Sequence, residues 1–412
     1  MMVDRMPQLR LGRPLWLDRG SERDAIAFPS AAGAIATDVV IVGGGITGAA
    51  IAWRFADAGI RVVLLEAERI GHGSTAASTA LLMQEPDEDF SATARRYGAA
   101  YATRIWRLGA AATRDLVRTL RKLEIDCDLS RSDSVYFTLT AARARHLHAE
   151  YGRRRSAGIR GRWIDADRAR HAFGFDAAGA IRTDGNAQVD PYKACLGFMR
   201  TAVENGGVVF ERSPVERIDP VRHGVIVRTR HATVRAERVV IATGYATPYF
   251  KPLHARFRMV NTYVVCTRPL TARERRQLGL GRVMLWDTDR PYHYARWTPD
   301  HRLLLGGGDR PLVSGAARPA ALRHGALKVA GYFADLFPML ADVANDYMWD
   351  GLFAMTPDGL PYIGPHRRYP WHLFALGYGG NGMTLGFLAS RLLLEAHLGR
   401  AAPDLDLFSF TR

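Results

Sequence analysis

Cysteine and long apolar runs are scarce in this sequence of 412 residues. The three cysteines, Cys127, Cys195 and Cys266, are odd in number and far apart, with no Cys-x-x-Cys pair. This pattern argues against a disulfide framework and a zinc site, and it favours a reducing, cytoplasmic location. No run of about 18 apolar residues occurs, so we expect no membrane span. The charged N-terminus lacks the apolar core of a signal peptide.

Lysine is also rare, so arginine supplies nearly all of the formal net charge of +15. Together with the many alanines, this use of arginine is typical of coding bias rather than of a binding surface. The densest cluster, at 153–155, has no interleaved aromatic residues of an RNA-binding motif, and we interpret it as a solvated face. Nucleic acid is therefore not the expected partner, although so basic a chain would attract anions.

The clearest motif lies in the first quarter of the chain. An apolar run at 39–42 predicts a buried parallel strand, and G-x-G-x-x-G follows it at Gly43, Gly45 and Gly48. A predicted helix and a second strand at 60–65 complete a β-α-β unit. Gly43 allows the tight turn, Gly45 lets the backbone approach a pyrophosphate, and Gly48 lets helix and strand pack closely.

The second strand of this unit ends in Glu66, whose carboxylate can accept hydrogen bonds from both hydroxyls of a ribose. The N-terminus of the intervening helix offers unpaired N–H groups to phosphates. Strand, turn, helix, strand and acid are all in register, so the sequence predicts a dinucleotide-binding domain. The motif alone does not distinguish NAD from FAD.

The segments that follow favour a flavin. The stretch 71–80, GHGSTAASTA, suits a loop along a diphosphate and a flat ring, and a long helical region is predicted at 91–124. A dehydrogenase that uses NAD would instead continue with further β-α-β units. Later, 238–244 reads as an apolar strand ending in Thr-Gly, and a second glycine loop, GYGGNGMT at 377–384, precedes a helix predicted at 385–398.

These motifs resemble the D-amino-acid oxidase-like flavoproteins, which include glycine oxidase, sarcosine oxidase and γ-glutamylputrescine oxidase. The resemblance rests on VVIVGGGITG, GSTAAST, ATG, TPDGLPYIG and GYGGNGMT, and it covers roughly 36–95, 180–250 and 283–400. It implies an α/β fold in which a Rossmann-type FAD-binding domain is interleaved with an antiparallel-sheet substrate domain. The expected domain bounds are an N-terminal extension at 1–35, FAD-binding parts at 36–95, 185–250 and 335–412, and substrate parts at 96–184 and 251–334.

The same resemblance assigns the cofactor site. The implied FAD-binding residues are Gly43, Gly45, Ile46, Thr47, Gly48, Glu66, Ala67, Ser74, Thr75, Ser78, Thr79, Ala80, Val215, Thr243, Gly244, Gly380, Asn381, Gly382, Met383 and Thr384. The stretch 349–365, WDGLFAMTPDGLPYIGP, is expected to wrap the flavin. Relatives attach FAD through a cysteine or a histidine at two positions that are here Gly351 and Ala77, so we expect noncovalent FAD.

The substrate side is predicted from 286–297, WDTDRPYHYARW. Read as one strand, it puts Tyr294 and Arg296 on one face, where they would orient an amine or clamp a carboxylate; a surface strand is the alternative. In glycine oxidase and D-amino-acid oxidases, an arginine before the TPDG-like turn grips the substrate carboxylate. That position is Phe353 here, so either Arg258 or Arg296 replaces the arginine or the substrate is bulkier, with an apolar part against Phe353.

The expected reaction is oxidation of a C–N bond of an amine or amino-acid derivative, with hydride transfer to flavin N5 and molecular oxygen or another electron acceptor. We expect the substrate not to be a small α-amino acid. Two alternatives remain open: a tRNA-modifying FAD oxidase, and a flavin subunit that passes electrons to a partner protein. No metal site is expected, because His146 and His148 are best explained as a solvated helix face.

Overall fold

The structure is a computed structural model that describes residues 7–19 and 27–412. Its strands are β1 (Arg10–Gly12), β2 (Gly33–Val42), β3 (Val62–Leu65), β4 (Leu81–Leu82), β5 (Ser130–Arg131), β6 (Asp133–Thr138), β7 (Arg162–Asp165), β8 (Gly179–Thr183), β9 (Ala187–Gln188), β10 (Val208–Phe210), β11 (Arg217–Val221), β12 (Gly224–Arg228), β13 (Ala232–Gly244), β14 (Arg258–Thr267), β15 (Val283–Asp287), β16 (His293–Trp297), β17 (Leu303–Pro311), β18 (Asn345–Met355), β19 (Tyr362–His366) and β20 (Tyr369–Leu376). Its helices are α1 (Leu15–Arg19), α2 (Ile46–Asp57), α3 (Ser74–Ala77), α4 (Phe90–Tyr97), α5 (Ala99–Lys122), α6 (Ala141–Ser156), α7 (Ala166–Phe173), α8 (Pro191–Glu204), α9 (Ala272–Leu278), α10 (Arg318–Leu336) and α11 (Gly382–His397).

An eight-stranded sheet forms the predicted nucleotide-binding unit. Strands β10, β3, β2 and β13 are parallel neighbours, β20 joins β13 in parallel, and the hairpins β11–β12–β13 and β19–β20 extend the sheet. Helix α2 lies between this sheet and α8 and α11, which explains why it is apolar almost all round. The Rossmann-type part of the fold prediction is confirmed.

A nine-stranded sheet forms the second unit, in the order β1-β18-β14-β17-β16-β15-β6-β8-β7. Neighbouring strands are antiparallel, as predicted, except for β6 and β15, which run parallel. Helices α7 and α10 pack their apolar faces against one side of the sheet. The other side faces the nucleotide-binding unit, so the space between the two units is where a ligand would lie.

Several predicted boundaries differ from the observed pairing. Strand β18 pairs with β14 in the nine-stranded sheet, so a cut at 334/335 separates two hydrogen-bonded strands. Helix α5, assigned to the substrate part, packs against α11 and contributes to the core around α2. The predicted helix at 91–124 is broken at Gly98, whose φ of 91° belongs to neither α4 nor α5. The predicted bounds assigned β18 and α5 by their position in the sequence. The elements that they pack against, β14 and α11, lie far away along the chain.

The N-terminal residues are more than a surface extension. Strand β1 pairs with β18 at the edge of the nine-stranded sheet, and Trp16 is fully buried. The Trp16 indole N–H donates to the carbonyl of Ser78 at 2.7 Å. Residues 1–6 and 20–26 of the predicted extension lie outside the described residues.

Candidate active site

One elongated cavity of about 1100 Å³ runs between the two sheets. It exceeds the roughly 300–1,000 Å³ usual for sites that hold a drug-sized ligand. The predicted residues in its wall are Gly43, Gly45, Ile46, Thr47, Glu66, Ala67, Ser74, Thr75, Ser78, Thr79, Ala80, Val215, Thr243, Gly244, Gly380, Asn381, Gly382, Met383, Tyr294 and Phe353. The cavity wall does not include Gly48, Thr384, Arg258 or Arg296.

The glycine motif forms the turn between β2 and α2. Gly43 has a φ of 108°, which a residue with a side chain rarely adopts. A Cβ added at Gly48 would lie 1.9 Å from the carbonyl oxygen of Gly43, so only glycine allows α2 to pack this closely on the turn. Gly48 thus shapes the cavity without lining it.

Glu66 is at the end of β3, opposite this turn. Its Oε2 accepts a hydrogen bond from the N–H of Gly44 at 2.6 Å, and its Oε1 accepts one from the N–H of Glu68 at 2.8 Å. Burial raises the pKa of Glu66, against the opposing effect of these backbone donors. The carboxylate is thereby fixed at the cavity wall, where the ribose ligand was predicted.

The loop at 71–80 joins the two sheets across the cavity. The hydroxyl of Thr75 accepts a hydrogen bond from the N–H of Ile46 at 2.9 Å, next to the glycine motif. The hydroxyl of Ser74 donates to the carbonyl of Leu352 on β18 at 2.8 Å. Leu9 contacts the same loop, since a Cβ added at Gly73 would lie 2.9 Å from its side chain. The N-terminal segment therefore covers this part of the cavity.

The second glycine loop is held by an aspartate that the sequence reasoning missed. Asp87 accepts hydrogen bonds from the N–H of Gly380 at 2.6 Å and from the side-chain amide of Asn381 at 3.1 Å. Asn381 also donates to the carbonyl of Glu85 at 2.7 Å. Burial raises the pKa of Asp87 to about 7. No motif marks Asp87, which lies nearly 300 residues before its partners.

The residues of the cavity fit FAD. Helix α11 begins at Gly382 in the wall, so its N-terminal N–H groups and partial positive charge are next to the cavity. Tyr378 is 7% exposed and lines the cavity, and its hydroxyl has no hydrogen-bond partner among the described residues. A buried unpartnered hydroxyl is unfavourable unless a ligand satisfies it.

Aromatic and apolar side chains line the part of the cavity that faces the nine-stranded sheet. We call this part the substrate half and define it by Met259, Thr262, Trp286, Tyr292, Tyr294, Leu352 and Phe353. The hydroxyls of Tyr294 and Thr262 are 3.2 Å apart. The Tyr294 ring lies over Gly306, where an added Cβ would be 2.3 Å from the ring.

Neither predicted replacement arginine reaches the cavity. Residues 286–297 form the end of β15, a turn and β16 rather than one strand, and Arg296 is 2% exposed beyond the cavity wall. Its guanidinium donates to the carbonyl of Val189 at 2.7 Å. Arg258 is an exposed residue at the start of β14. The interpretation of Arg296 or Arg258 as a carboxylate clamp is therefore corrected.

The stretch 349–365 contributes less to the cavity than predicted. Only its first part, 351–354, lies in the wall. The TPDG turn points elsewhere: Asp358 accepts hydrogen bonds from Arg412 at 2.7 Å and from the hydroxyl of Tyr97 at 2.8 Å. The turn therefore ties the C-terminus to α4 instead of wrapping a ligand.

One group of possible metal ligands was not predicted. Asp287, Asp289 and His293 bring ligand atoms within 4.8 Å of one another. Asp287 already accepts hydrogen bonds from the His293 ring at 3.0 Å and from the hydroxyl of Tyr332 at 2.6 Å, while Asp289 pairs with Arg143. These bonds explain the group as a connection between the β15–β16 turn, α10 and α6.

A Rossmann-type sheet and a mixed sheet that share one long cavity define a two-unit protein of the dinucleotide-binding class. A family model described as FAD dependent oxidoreductase matches residues 38–396, and the chain belongs to this DAO family. It is 29% identical over 377 residues to gamma-glutamylputrescine oxidoreductase of Escherichia coli (strain K12), covering 89% of this chain and 85% of the relative. It is 26% identical to glycine oxidase of Bacillus licheniformis over 371 residues, 88% and 93% of the two chains.

The fold of a solved relative agrees with this assignment. The crystal structure of glycine oxidase from Geobacillus kaustophilus superposes with a TM-score of 0.77 at 25% identity, covering 92% of this chain and 99% of that chain. The cofactor is FAD, as the sequence predicted, and the protein is an FAD-dependent oxidoreductase. Among the described residues, no helix is both long enough and apolar enough to span a membrane.

Proposed function

We propose that this protein oxidises a C–N bond of an amine that lacks the compact shape and α-carboxylate of glycine. The observation that carries the proposal is the wall around Phe353. In the described residues of the substrate half, no arginine or lysine is present to pair with a carboxylate. Burying a carboxylate without a cation is strongly unfavourable.

The cations that do line the cavity lie at its other end. Arg10 donates from Nε to the carbonyl of His72 at 2.6 Å, beside the loop at 71–80. Arg69 is an exposed residue just before that loop. Both suit the phosphate end of a dinucleotide rather than the substrate half, which supports an uncharged or cationic substrate group there.

The chain's own groups would bind and orient the amine. FAD, when bound, supplies the acceptor for a hydride from the carbon next to the amine nitrogen. The paired hydroxyls of Tyr294 and Thr262 offer donors and acceptors to that nitrogen, and Phe353, Leu352 and Met259 exclude water around it. The N-terminus of α11 favours negative charge at the cavity wall.

The substrate range tests the proposal. Anaerobic mixing of the FAD-loaded protein with primary and secondary alkylamines should bleach the flavin absorbance faster than mixing with glycine, D-alanine or sarcosine. Phe353→Arg should reverse this order, because it introduces the missing carboxylate partner. Phe353→Leu is the matched control, since it changes the side chain without adding charge. Efficient reduction by glycine in the unmodified protein would refute the proposal.

Peroxide formation under air separates the possible electron acceptors. An oxidase produces hydrogen peroxide in step with amine consumption. A subunit that passes electrons to another protein would instead reduce an artificial dye and form little peroxide. Either outcome is compatible with the amine chemistry proposed here.

A further inference from the structure

We propose that the carboxylate of Asp87 binds a proton when the bound FAD is reduced, so that Asp87 is a redox-linked proton acceptor in the cavity wall. The inference is supported by the place of Asp87 in the wall, by its hydrogen bonds to the second glycine loop and by the charges around it. It concerns the cofactor and does not depend on which substrate supplies the electrons.

Asp87 lies where the second glycine loop meets the cavity. It lines the wall, and a Cβ added at Gly379 or at Gly380 would collide with its carboxylate. The two glycines therefore let the loop backbone pass directly over this side chain. The Tyr292 hydroxyl reaches the same place, since it would lie 2.5 Å from a Cβ added at Gly380. Burial raises the pKa of Tyr292 well above its usual value, so this neighbour stays neutral.

Both carboxylate oxygens of Asp87 accept hydrogen bonds just before helix α11. Its Oδ2 accepts from the N–H of Gly380 at 2.6 Å, and its Oδ1 accepts from the side-chain amide of Asn381 at 3.1 Å. The helix begins at the next residue, Gly382, and its N-terminus favours negative charge. That N-terminus also lines the cavity assigned to FAD, so a negatively charged flavin would compete with Asp87 for the same stabilisation.

The other charges around Asp87 disfavour its ionised form. Burial is the largest cause that raises its pKa, and the acidic side chains of Asp309 on β17 and of Glu88 raise it further, to about 7. The N–H of Gly380 lowers it, as does Arg290 in the turn between β15 and β16, whose effect is the smallest of these. A small change in the local charge is therefore enough to add or remove the proton at neutral pH.

Reduction of the cofactor supplies such a change in charge. When the flavin accepts a hydride, its ring gains one negative charge, which opposes an ionised carboxylate in the same poorly solvated cavity. Asp87 relieves this repulsion by binding one proton from the solvent. In total, two electrons and one proton reach the flavin as the hydride, and a second proton reaches the Asp87 carboxylate.

The pH dependence of the flavin reduction potential tests the inference without any substrate. The FAD-loaded protein is reduced anaerobically together with a reference dye, and the midpoint potential is read from the flavin absorbance at each pH. For a two-electron couple, each proton taken up changes the potential by about 30 mV for a tenfold change in proton concentration.

The sign follows from the ionisation of Asp87. Above its pKa of about 7, Asp87 is ionised in the oxidised protein, and it takes up a proton only on reduction. Between about pH 7 and 9, the potential of the unmodified protein should therefore fall by about 60 mV per pH unit, which corresponds to two protons. In Asp87→Asn, only the hydride proton remains, and the potential should fall by about 30 mV per pH unit.

Glu88→Gln is the matched control, because Glu88 is an exposed acid outside the cavity wall. It removes a negative charge next to Asp87, so it should shift the potential but keep the steep slope. Asp87→Glu retains an acid and should restore part of the slope. An infrared difference spectrum is an independent readout: the carbonyl stretch of a protonated carboxylic acid should appear on reduction and be absent in Asp87→Asn.

Two results would overturn the inference. One is a slope of about 30 mV per pH unit in the unmodified protein between about pH 7 and 9, whether or not the variants fold. The other is a steep slope that is unchanged in FAD-loaded Asp87→Asn, because the second proton would then bind elsewhere. Neither measurement uses an amine, so failure of the proposed amine oxidation would leave this test unaffected.

Discussion

The guanidinium carbon of Arg296 lies 5.0 Å from the centroid of the Trp16 ring. This contact joins β16 to the N-terminal segment, and the Trp16 indole in turn reaches the loop at 71–80 through Ser78. Arg296 is buried and forms no ion pair with a carboxylate of residues 7–19 or 27–412, and burial lowers its pKa to about 9. Its contacts are those of a structural residue that holds the N-terminal segment over the cofactor cavity.

We therefore expect Arg296→Ala to lower stability rather than to abolish substrate binding. The lost cation–π contact and hydrogen bond should reduce the free energy of unfolding by about 2–4 kcal/mol. Urea unfolding of the FAD-loaded protein measures this effect, with the exposed Arg258→Ala as a matched control. If flavin reduction becomes much slower at full stability and full FAD content, Arg296 contacts the substrate instead.

The wrong assignment of Arg296 to the substrate site shows what strand periodicity cannot predict. Alternation correctly brought Tyr294 to the cavity, where it lies beside Thr262. It could not show that the cavity ends before Arg296, since that limit is set by Trp16 and Val189 from distant parts of the chain. The side chains of two residues on one face of a strand point in the same direction, but they can have different neighbours.

Glu66 and Asp87 show the same contrast between local and distant information. The turn, helix and strand that position Glu66 are contiguous, so the spacing of the motif was enough to find it. Asp87 accepts hydrogen bonds from Gly380 and Asn381, which lie nearly 300 residues further along the chain, so no local pattern indicates its role.

We expect Glu66→Ala to weaken FAD binding while the fold is retained. The carboxylate is fixed by two backbone donors, and each charged hydrogen bond lost to the cofactor should raise the dissociation constant about ten- to a hundredfold. Fluorescence titration of the apoprotein with FAD measures this constant. Glu204→Ala at the exposed end of α8 is the control, and unchanged affinity in Glu66→Ala would show that Glu66 is not the ribose ligand.

All three cysteines should be unreactive in the native protein. Each is free and buried, and burial raises the pKa of Cys127 and of Cys266 to about 12 and raises that of Cys195 further. A thiol that cannot ionise is a poor nucleophile. A thiol-specific chromogenic disulfide should therefore detect no thiols before denaturation and three after it.

Cys195 makes this experiment a probe of the cofactor site as well. Its Sγ lies 3.6 Å from the carbonyl oxygen of Gly44, directly behind the glycine motif. We therefore expect slow modification of the Cys195 thiol to occur at the same rate as loss of FAD. In Cys195→Ala, the remaining thiol modification should no longer follow loss of FAD. Rapid reaction of a thiol in protein that keeps its flavin would contradict the burial of these side chains.

Acid precipitation should release FAD in chemically unmodified form. The two positions at which related flavoproteins attach FAD covalently are occupied in this chain by Gly351 and Ala77. They lie against each other: a Cβ added at Gly351 would be 2.9 Å from the Cβ of Ala77. Neither residue has a nucleophilic side chain, and the described cavity wall contains no cysteine. The supernatant should hold all of the flavin, with the mass of FAD. Flavin that stays with the precipitate would reveal a covalent bond, to be sought first at His72, the histidine of the cavity wall.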